Sequence, residues 1–466
     1  MTEQRMRLDA STQSRFLKYL FKECLVRLGK PVEYRERNVH LSDLRATVER
    51  GEYTPNPIVA LLSIPKGEGV PRFIPVFTWQ DYAVYYAAVR AVDEQLAARI
   101  VPGTFGGWSL GGAARRSEQG RAEELLTAAP ADISAPPSSY NQLAWVQNWN
   151  QFSKLLYGTF RDAPDNSYFV SFDIANFYDS IDLPRLERLL RDLAPGEAFS
   201  IEVLFFLLGS WNNRQTSYAR SSKGLPQDIV GDCSRVLANG YLLPFDEAIS
   251  QRSTQMGATY LRYVDDMVIA GKSRGDCQRL LYAAAEELNR LGLNLNVSKV
   301  HYMTKKEFEV YWGFEVTEAL ELDPQTGLQL LRDRWGSKGY GRQTTALRRA
   351  LSILRKRPDL SADRKWVFQT VMSAPDQILS LNSRQMMALV EIADSPSHAF
   401  TALRSTIENG PYSGTKLELI RACERLQDVA GLKTRTRNAL RDSRKSPLEP
   451  VRLAADRARF WLREVA

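Results

Sequence analysis

Two adjacent aspartates stand in Tyr263-Val264-Asp265-Asp266, between two short apolar runs at 259–263 and 267–270. The runs read as strands and the acidic pair as a very tight turn between them. Neighbouring carboxylates repel one another unless a cation lies between them, so such a turn is costly without a metal. Strand alternation sends Asp265 and Asp266 to opposite sides, so one ion would use mainly one of them. A second carboxylate must come from elsewhere, and Asp173 supplies it at the end of the apolar run Tyr168-Phe169-Val170-Ser171-Phe172. Carboxylates from separate strands can hold two divalent ions about 4 Å apart, clamping the attacking and leaving oxygens of a phosphoryl transfer. An Asp-Asp pair alone is common in surface turns; the joint pattern is far more specific.

Other chemistries have little to work with. Cys24, Cys233, Cys277 and Cys423 are far apart, with no Cys-x-x-Cys pair, and the only histidines are His40, His301 and His398. That spacing disfavours a zinc site, a disulfide framework and a histidine-centred hydrolase, and buried thiols fit a reducing cytoplasm. A bound metal is therefore expected to be Mg²⁺, with Mn²⁺ as the alternative. At 466 residues, 44% of them hydrophobic, the chain can fill two or three cores. No window approaches 18 uncharged apolar residues, so no membrane partner is expected. The apolar stretch 16–28 carries Lys18, Lys22, Glu23 and Arg27, unlike a signal peptide.

The pattern divides the chain in three. Residues 1–60 read as a helical extension, with an amphipathic helix at 16–28. Residues 61–330 mix strands and helices: a hairpin around Lys66-Gly67-Glu68-Gly69, a helix over 81–100, a Pro-rich insertion near 115–140, and an alternating strand at Leu293, Leu295 and Val297. Residues 331–466 show helix after helix with no strand signal and no fixed repeat, which suggests a solenoid-like all-α domain. From 332 to 466 there are 26 basic and 14 acidic residues, a net +12 against +8 for the whole chain. Arg348, Arg349, Arg355 and Lys356 cluster there, as expected of a surface that meets a polyanion.

With these residues in order, the chain resembles a reverse transcriptase of the right-hand polymerase group. Asp173-Ile174-Ala175-Asn176-Phe177-Tyr178-Asp179-Ser180-Ile181 resembles motif A, Lys223-Gly224-Leu225-Pro226-Gln227 motif B, and Tyr263 to Asp266 motif C. Asn296-Val297-Ser298-Lys299 resembles motif D, and Tyr311-Trp312-Gly313-Phe314 the primer-grip hairpin. The resemblance implies an α+β fold with fingers and a palm built on a split βαβ antiparallel sheet. It implies metal binding by Asp173, Asp265 and the Ile174 carbonyl, with Asp266 assisting. Tyr178 would be the wall that rejects a ribose 2′-hydroxyl, and Gln227 would lie beneath the incoming base. Lys66 and Arg72 would grip the dNTP triphosphate, for which the planar fork of arginine is suited. Lys299 would protonate the leaving pyrophosphate, and Trp312 and Gly313 would hold the primer.

One departure stands out: Asp228 replaces the glycine that follows Pro-Gln in most of the family, which puts ordinary templated copying in doubt. The chain lacks the Asn-Ala-x-x-His and Val-Thr-Gly signatures of retron enzymes. What remains is similar to bacterial defence-associated and abortive-infection reverse transcriptases. That resemblance implies a cytoplasmic, oligomeric enzyme making DNA without an ordinary template or from a protein hydroxyl, for which Tyr340 and Tyr412 are candidates. The alternatives are RNA-templated synthesis on an associated noncoding RNA, or a non-catalytic nucleic-acid scaffold.

Overall fold

The computed structural model describes residues 37–66, 70–110, 144–211, 222–227 and 232–464. The amphipathic stretch 16–28, the insertion near 115–140 and Asp228 lie outside them. The described residues form two units: 37–58 with 77–308, and 59–76 with 309–464.

The first unit contains strands β3 (Thr104–Phe105), β4 (Tyr168–Asp173), β5 (Thr259–Tyr263), β6 (Asp266–Gly271) and β7 (His301–Thr304). Its helices are α1 (Arg37–Glu49), α2 (Trp79–Ala97), α3 (Ala144–Asp162), α4 (Phe177–Ser180), α5 (Leu183–Leu193), α6 (Ala198–Trp211), α7 (Asp232–Tyr241), α8 (Leu243–Gln255) and α9 (Arg274–Arg290). The strands order β3-β5-β6-β4-β7, all antiparallel except the β3–β5 pair. This is the palm. Helix α9 packs on β4 and β6, its N-terminus capped by Ser273, whose Oγ accepts from the Asp276 N–H at 3.1 Å. Phe169 of β4 stacks on Phe308 at 4.2 Å, and Phe77 on Trp211 at 3.7 Å, all four of them buried.

Two expectations change. Leu293, Leu295 and Val297 do not form a strand: Ala175 and Asn296 donate to the Asn294 and Asp173 carbonyls, and then 297–299 winds into a 3₁₀ turn. β7 takes the free edge of β4 instead, and Val297 points to solvent. The segment 311–314 is no hairpin either. It is the junction of α10 (Lys305–Trp312) and α11 (Phe314–Leu322), where Gly313 takes φ +64° and its N–H closes α10 on the Glu309 carbonyl at 2.8 Å. A Cβ at Gly313 would meet the Tyr340 ring at 2.3 Å, so the junction is packed shut.

The second unit continues with α12 (Pro324–Arg334), α13 (Gln343–Leu354), α14 (Ser361–Met372), α15 (Pro375–Leu379), α16 (Ser383–Ile392), α17 (Pro396–Asn409), α18 (Ser413–Leu426), α19 (Lys433–Ser443) and α20 (Glu449–Glu464). Helices α13, α16, α18 and α20 pack in succession as one layer, and α14, α15, α17 and α19 form the other. Stacked helix pairs of this kind make a solenoid. The layer helices begin at 343, 383, 413 and 449, so the repeat length varies and no period shows in the sequence. Strands β1 (Ala60–Pro65) and β2 (Pro71–Val76) form an antiparallel hairpin that belongs to this unit. Ser63 N–H donates to Ser413 Oγ at 2.9 Å and Ser413 N–H to Ser63 Oγ at 3.0 Å. The reciprocal pair seats the hairpin on the N-terminus of α18, where Gly414 leaves room for Ile64.

Candidate active site

The register of the palm builds the acidic site. Asp173, the last residue of β4, lies directly opposite Asp266, the first of β6. Opposed residues of an antiparallel pair share one face of the sheet, so these carboxylates emerge together. Tyr263 pairs with Asp266, which leaves Val264 and Asp265 as a two-residue hairpin loop. Asp265 is thus a turn residue and does not follow the strand alternation assumed from the sequence. Burial first, then the charges of Asp266 and Asp173, push its carboxyl up to about 7.

Lys299 and Asn296 reach Asp173 from the 3₁₀ turn. Lys299 Nζ donates to Asp173 Oδ2 at 2.7 Å and Asn296 Nδ2 to the same oxygen at 3.3 Å. Burial works against the Lys299 ammonium, but Asp173, followed by Asp266 and Asp265, outweighs it and holds the amine above the usual lysine value. The lysine is protonated and positioned. The Ala175 and Asn296 ladder bonds leave the Ile174 carbonyl out of the pairing.

Among the described residues no three carboxylate, histidine or cysteine side chains form a ready metal cage. The donor set nevertheless fits a divalent ion: three carboxylates leave more negative charge than one lysine offsets, and Asp265 records the excess. Asp173, Asp265 and the Ile174 oxygen are the groups that would hold it. The sign of the pH dependence follows. Asp265 titrates near 3.9 unfolded and about 7 folded, so its own contribution to metal-free stability is full below about pH 4 and is lost as pH rises through 7. Mg²⁺ is expected to raise the melting temperature by roughly 5 °C at pH 8 and hardly at all at pH 5; an equal shift at both values would remove the assignment.

Motif B lies against motif A. Gly224 N–H donates to the Ile181 carbonyl at 2.8 Å and Leu225 N–H to the Tyr178 carbonyl at 2.9 Å. Ser234 of α7 donates to the Pro226 carbonyl at 2.6 Å and bonds Tyr85 at 2.8 Å. This strap ties Leu225 to α4, two residues before the half-buried Gln227. Tyr178 is half-buried there, and burial, backed by the charges of Asp265, Tyr263 and Asp232 and opposed by the Arg235 cation, raises its hydroxyl well above the ordinary tyrosine value. Arg235, joined to Asp232, is a cation at this site that no motif singled out.

The acidic turn is held from below by residues the motifs did not reveal. Val264 takes φ +56°, a left-handed conformation that costs a β-branched residue about 1–2 kcal/mol. Its N–H donates to the Phe105 carbonyl at 3.2 Å. Its carbonyl accepts from Nη1 of Arg262 at 2.8 Å. Arg262 is fully buried and paired with Asp246 of α8. The inward sequence positions of Arg262 in β5 and of Asp246 among Leu243, Phe245 and Ile249 were the available signal.

The remaining expected residues belong to the second unit. Lys66 and Arg72 lie on the β1–β2 hairpin, and neither side chain makes an ion pair with a described residue. Trp312 is 7% exposed, stacked on Phe314 and covered by the Arg342 guanidinium at 4.2 Å. Trp312 and Gly313 are therefore core, not a primer-facing surface. Tyr340 and Tyr412 are buried as well, at 3% and 4% exposure, and burial pushes the Tyr340 hydroxyl up to about 12. Neither offers an accessible priming hydroxyl. In the basic cluster, Arg348 turns in to Ser380, Arg349 pairs with Glu321 and Arg355 with Glu391; Lys356 is exposed.

Residues 130–316 match the family model described as reverse transcriptase (RNA-dependent DNA polymerase). The matched stretch holds β4 to β7 and every aspartate of the site, so the part of the chain similar to that family is the part that builds the acidic site. No curated protein matches the chain. Apo telomerase from Candida tropicalis truncated from its C-terminal domain is 14% identical over 57% of this chain and 55% of its own, about half its length, at a TM-score of 0.33. The apo telomerase of the same organism gives 12% identity, 89% and 75% coverage and a TM-score of 0.35. Candida albicans telomerase with a TWJ fragment of telomeric RNA gives 13%, 56% and 50%, and 0.28.

Proposed function

We propose that this chain is a Mg²⁺-dependent DNA polymerase that transfers dNMP from a dNTP to a 3′-hydroxyl and serves bacterial antiphage defence. The observation that carries the reading is the convergence of Asp173, Asp266 and Asp265, with Lys299 bonded to Asp173, inside the stretch that matches the reverse transcriptase family model. A divalent ion at Asp173, Asp265 and the Ile174 oxygen would activate the attacking hydroxyl and neutralise charge on the phosphoryl group. The chain's own residues supply the rest. Lys299, kept protonated beside Asp173, would give its proton to the leaving pyrophosphate. Tyr178, fixed by the motif B strap, walls the sugar side, and Gln227 lies beneath the base. With Tyr178→Ala, the preference for dNTP over NTP in kcat/KM is expected to fall by roughly 10–100-fold; unchanged preference removes the wall.

The test is a denaturing gel of nuclease-treated protein with Mg²⁺ and labelled dNTPs, half of each sample digested with protease, with Asp265→Ala/Asp266→Ala as the blank. Products only after RNA is added back support templated synthesis. Products without added nucleic acid support untemplated synthesis, and a protease-sensitive shift supports a protein primer. No product beyond the blank sinks the reading. Expression in a host challenged with phage, active protein against the double variant, tests the defence role.

Nucleic acid would meet the helical unit on α19 rather than α13. Lys433, Arg437 and Arg441 step along one exposed face; the first two have no ion pair among the described residues, and Arg441 has only a 3.9 Å contact with Asp442, itself bound by Arg404 at 2.8 Å. Changing these three to alanine is expected to reduce the salt slope of single-strand binding by about 2, whereas Arg349, Arg355 and Lys356 together should change it by less than about 1. Equal effects would return the contact to α13.

A further inference from the structure

We propose that Arg262 is the positioning residue of the acidic turn: its guanidinium fixes the Val264 carbonyl and, through that peptide, the direction from which Asp265 projects. The proposal rests on the reading of Asp265 as a residue of nucleotide transfer. A loop whose first residue is a valine in left-handed conformation does not hold itself. Such conformations persist only where the surroundings over-determine them. Here both polar groups of Val264 are captured, the N–H by Phe105 and the carbonyl by Arg262. That carbonyl shares one planar peptide with the Asp265 N–H, so holding it sets the plane on which the carboxylate side chain is mounted.

Arg262 can do this because it cannot move. Its Nε donates to Asp246 Oδ1 at 2.7 Å, and Nη2 bonds the other Asp246 oxygen. Nη1 donates to Asn239 Oδ1 at 2.7 Å as well as to Val264. Tyr260 donates to Asp246 Oδ1 at 2.8 Å, and the Trp108 ring lies 5.9 Å from the guanidinium carbon. Asn239 in turn donates to the Gly107 carbonyl at 3.0 Å. One planar fork therefore ties the acidic turn on β5 to α7, α8 and the loop after β3. Lysine has no fork to serve Asp246, Asn239 and Val264 at once.

A buried ion pair is weak evidence of a stabilising role, since apolar replacement of the whole group is often neutral or better. No apolar group can donate to the Val264 carbonyl, and this separates the two roles. The test replaces the group together, as Arg262→Met/Asp246→Leu/Tyr260→Phe, in the full chain. Its thermal midpoint should stay within about 5 °C of the parent. Its single-turnover incorporation rate should fall about 10²-fold with half-saturating dNTP unchanged. Mn²⁺ affinity, read by electron paramagnetic resonance without substrate, should weaken about 10-fold. Arg262→Lys should move rate and Mn²⁺ affinity the same way by a smaller factor. A triple variant with parental rate and Mn²⁺ affinity overturns the proposal. If the triple variant shows no cooperative melt, Arg262→Lys decides, and parental values there overturn it. Absence of incorporation by the parent protein would instead sink the reading of the site.

Discussion

Asp265→Ala combined with Asp266→Ala is expected to abolish nucleotide transfer, by about 10⁴-fold or more, while leaving the protein folded and, without metal at pH 8, more stable than the parent. The two effects have one origin. Three carboxylates meet where β4, β6 and the turn converge, and the repulsion that lifts Asp265 to about 7 opposes folding whenever all are ionised. The same negative charge is what a divalent ion needs in order to bind and stabilise the phosphoryl group in transfer. Removing it loses several kcal/mol of transition-state stabilisation and relieves the ground state. Single-turnover incorporation and a melt at pH 8 with EDTA check the pair. An inactive variant that melts lower than the parent would mean that the aspartates hold the fold, and a parental rate would mean that the chemistry lies elsewhere.

Gly106→Ala should cost both stability and rate, at a position outside every motif. Gly106 has φ +115°, a conformation open to glycine, and a Cβ there would meet Val264 Cγ2 at 2.4 Å and Val264 N at 3.0 Å. Backbone contact of that kind cannot be relieved by a side-chain rotation, so the loop after β3 or the acidic turn must shift. The expected result is a stability loss of about 3 kcal/mol and a rate loss of about 10²-fold, from displacement of the turn by a fraction of an ångström. Adding Val264→Ala removes Cγ2 but not the backbone contact or the φ requirement, so it should restore stability only in part. Equilibrium denaturation with single-turnover incorporation checks both. A Gly106→Ala protein with parental stability and rate would show that the turn tolerates displacement.

The sequence was enough for the strands that carry the aspartates. The runs 168–173 and 259–271 read correctly because buried strands are short, apolar and bounded, and the aspartates at their ends have no cheaper explanation than a cation. The helical last third was equally legible, since amphipathic period survives any packing order. Less accessible was whatever depends on a partner distant in the chain. Residues 311–314 read as a hairpin, yet Tyr340 packs on Gly313 and closes a helix junction. Arg349 and Arg355 read as a binding patch until Glu321 and Glu391 came across to meet them. The hairpin 60–76 follows the N-terminal segment in sequence but is seated by Ser413, 350 residues from Ser63.

What the sequence determined by itself, then, is the identity of the acidic residues and the elements that carry them, because local propensity and like-charge repulsion act at short range. Only the tertiary structure decided that Asp266 faces Asp173, that Asp265 stands on a strained turn, and that Arg262 holds that turn. Register, burial and a guanidinium shared among four elements exist only once distant segments have packed, and no local pattern specifies them.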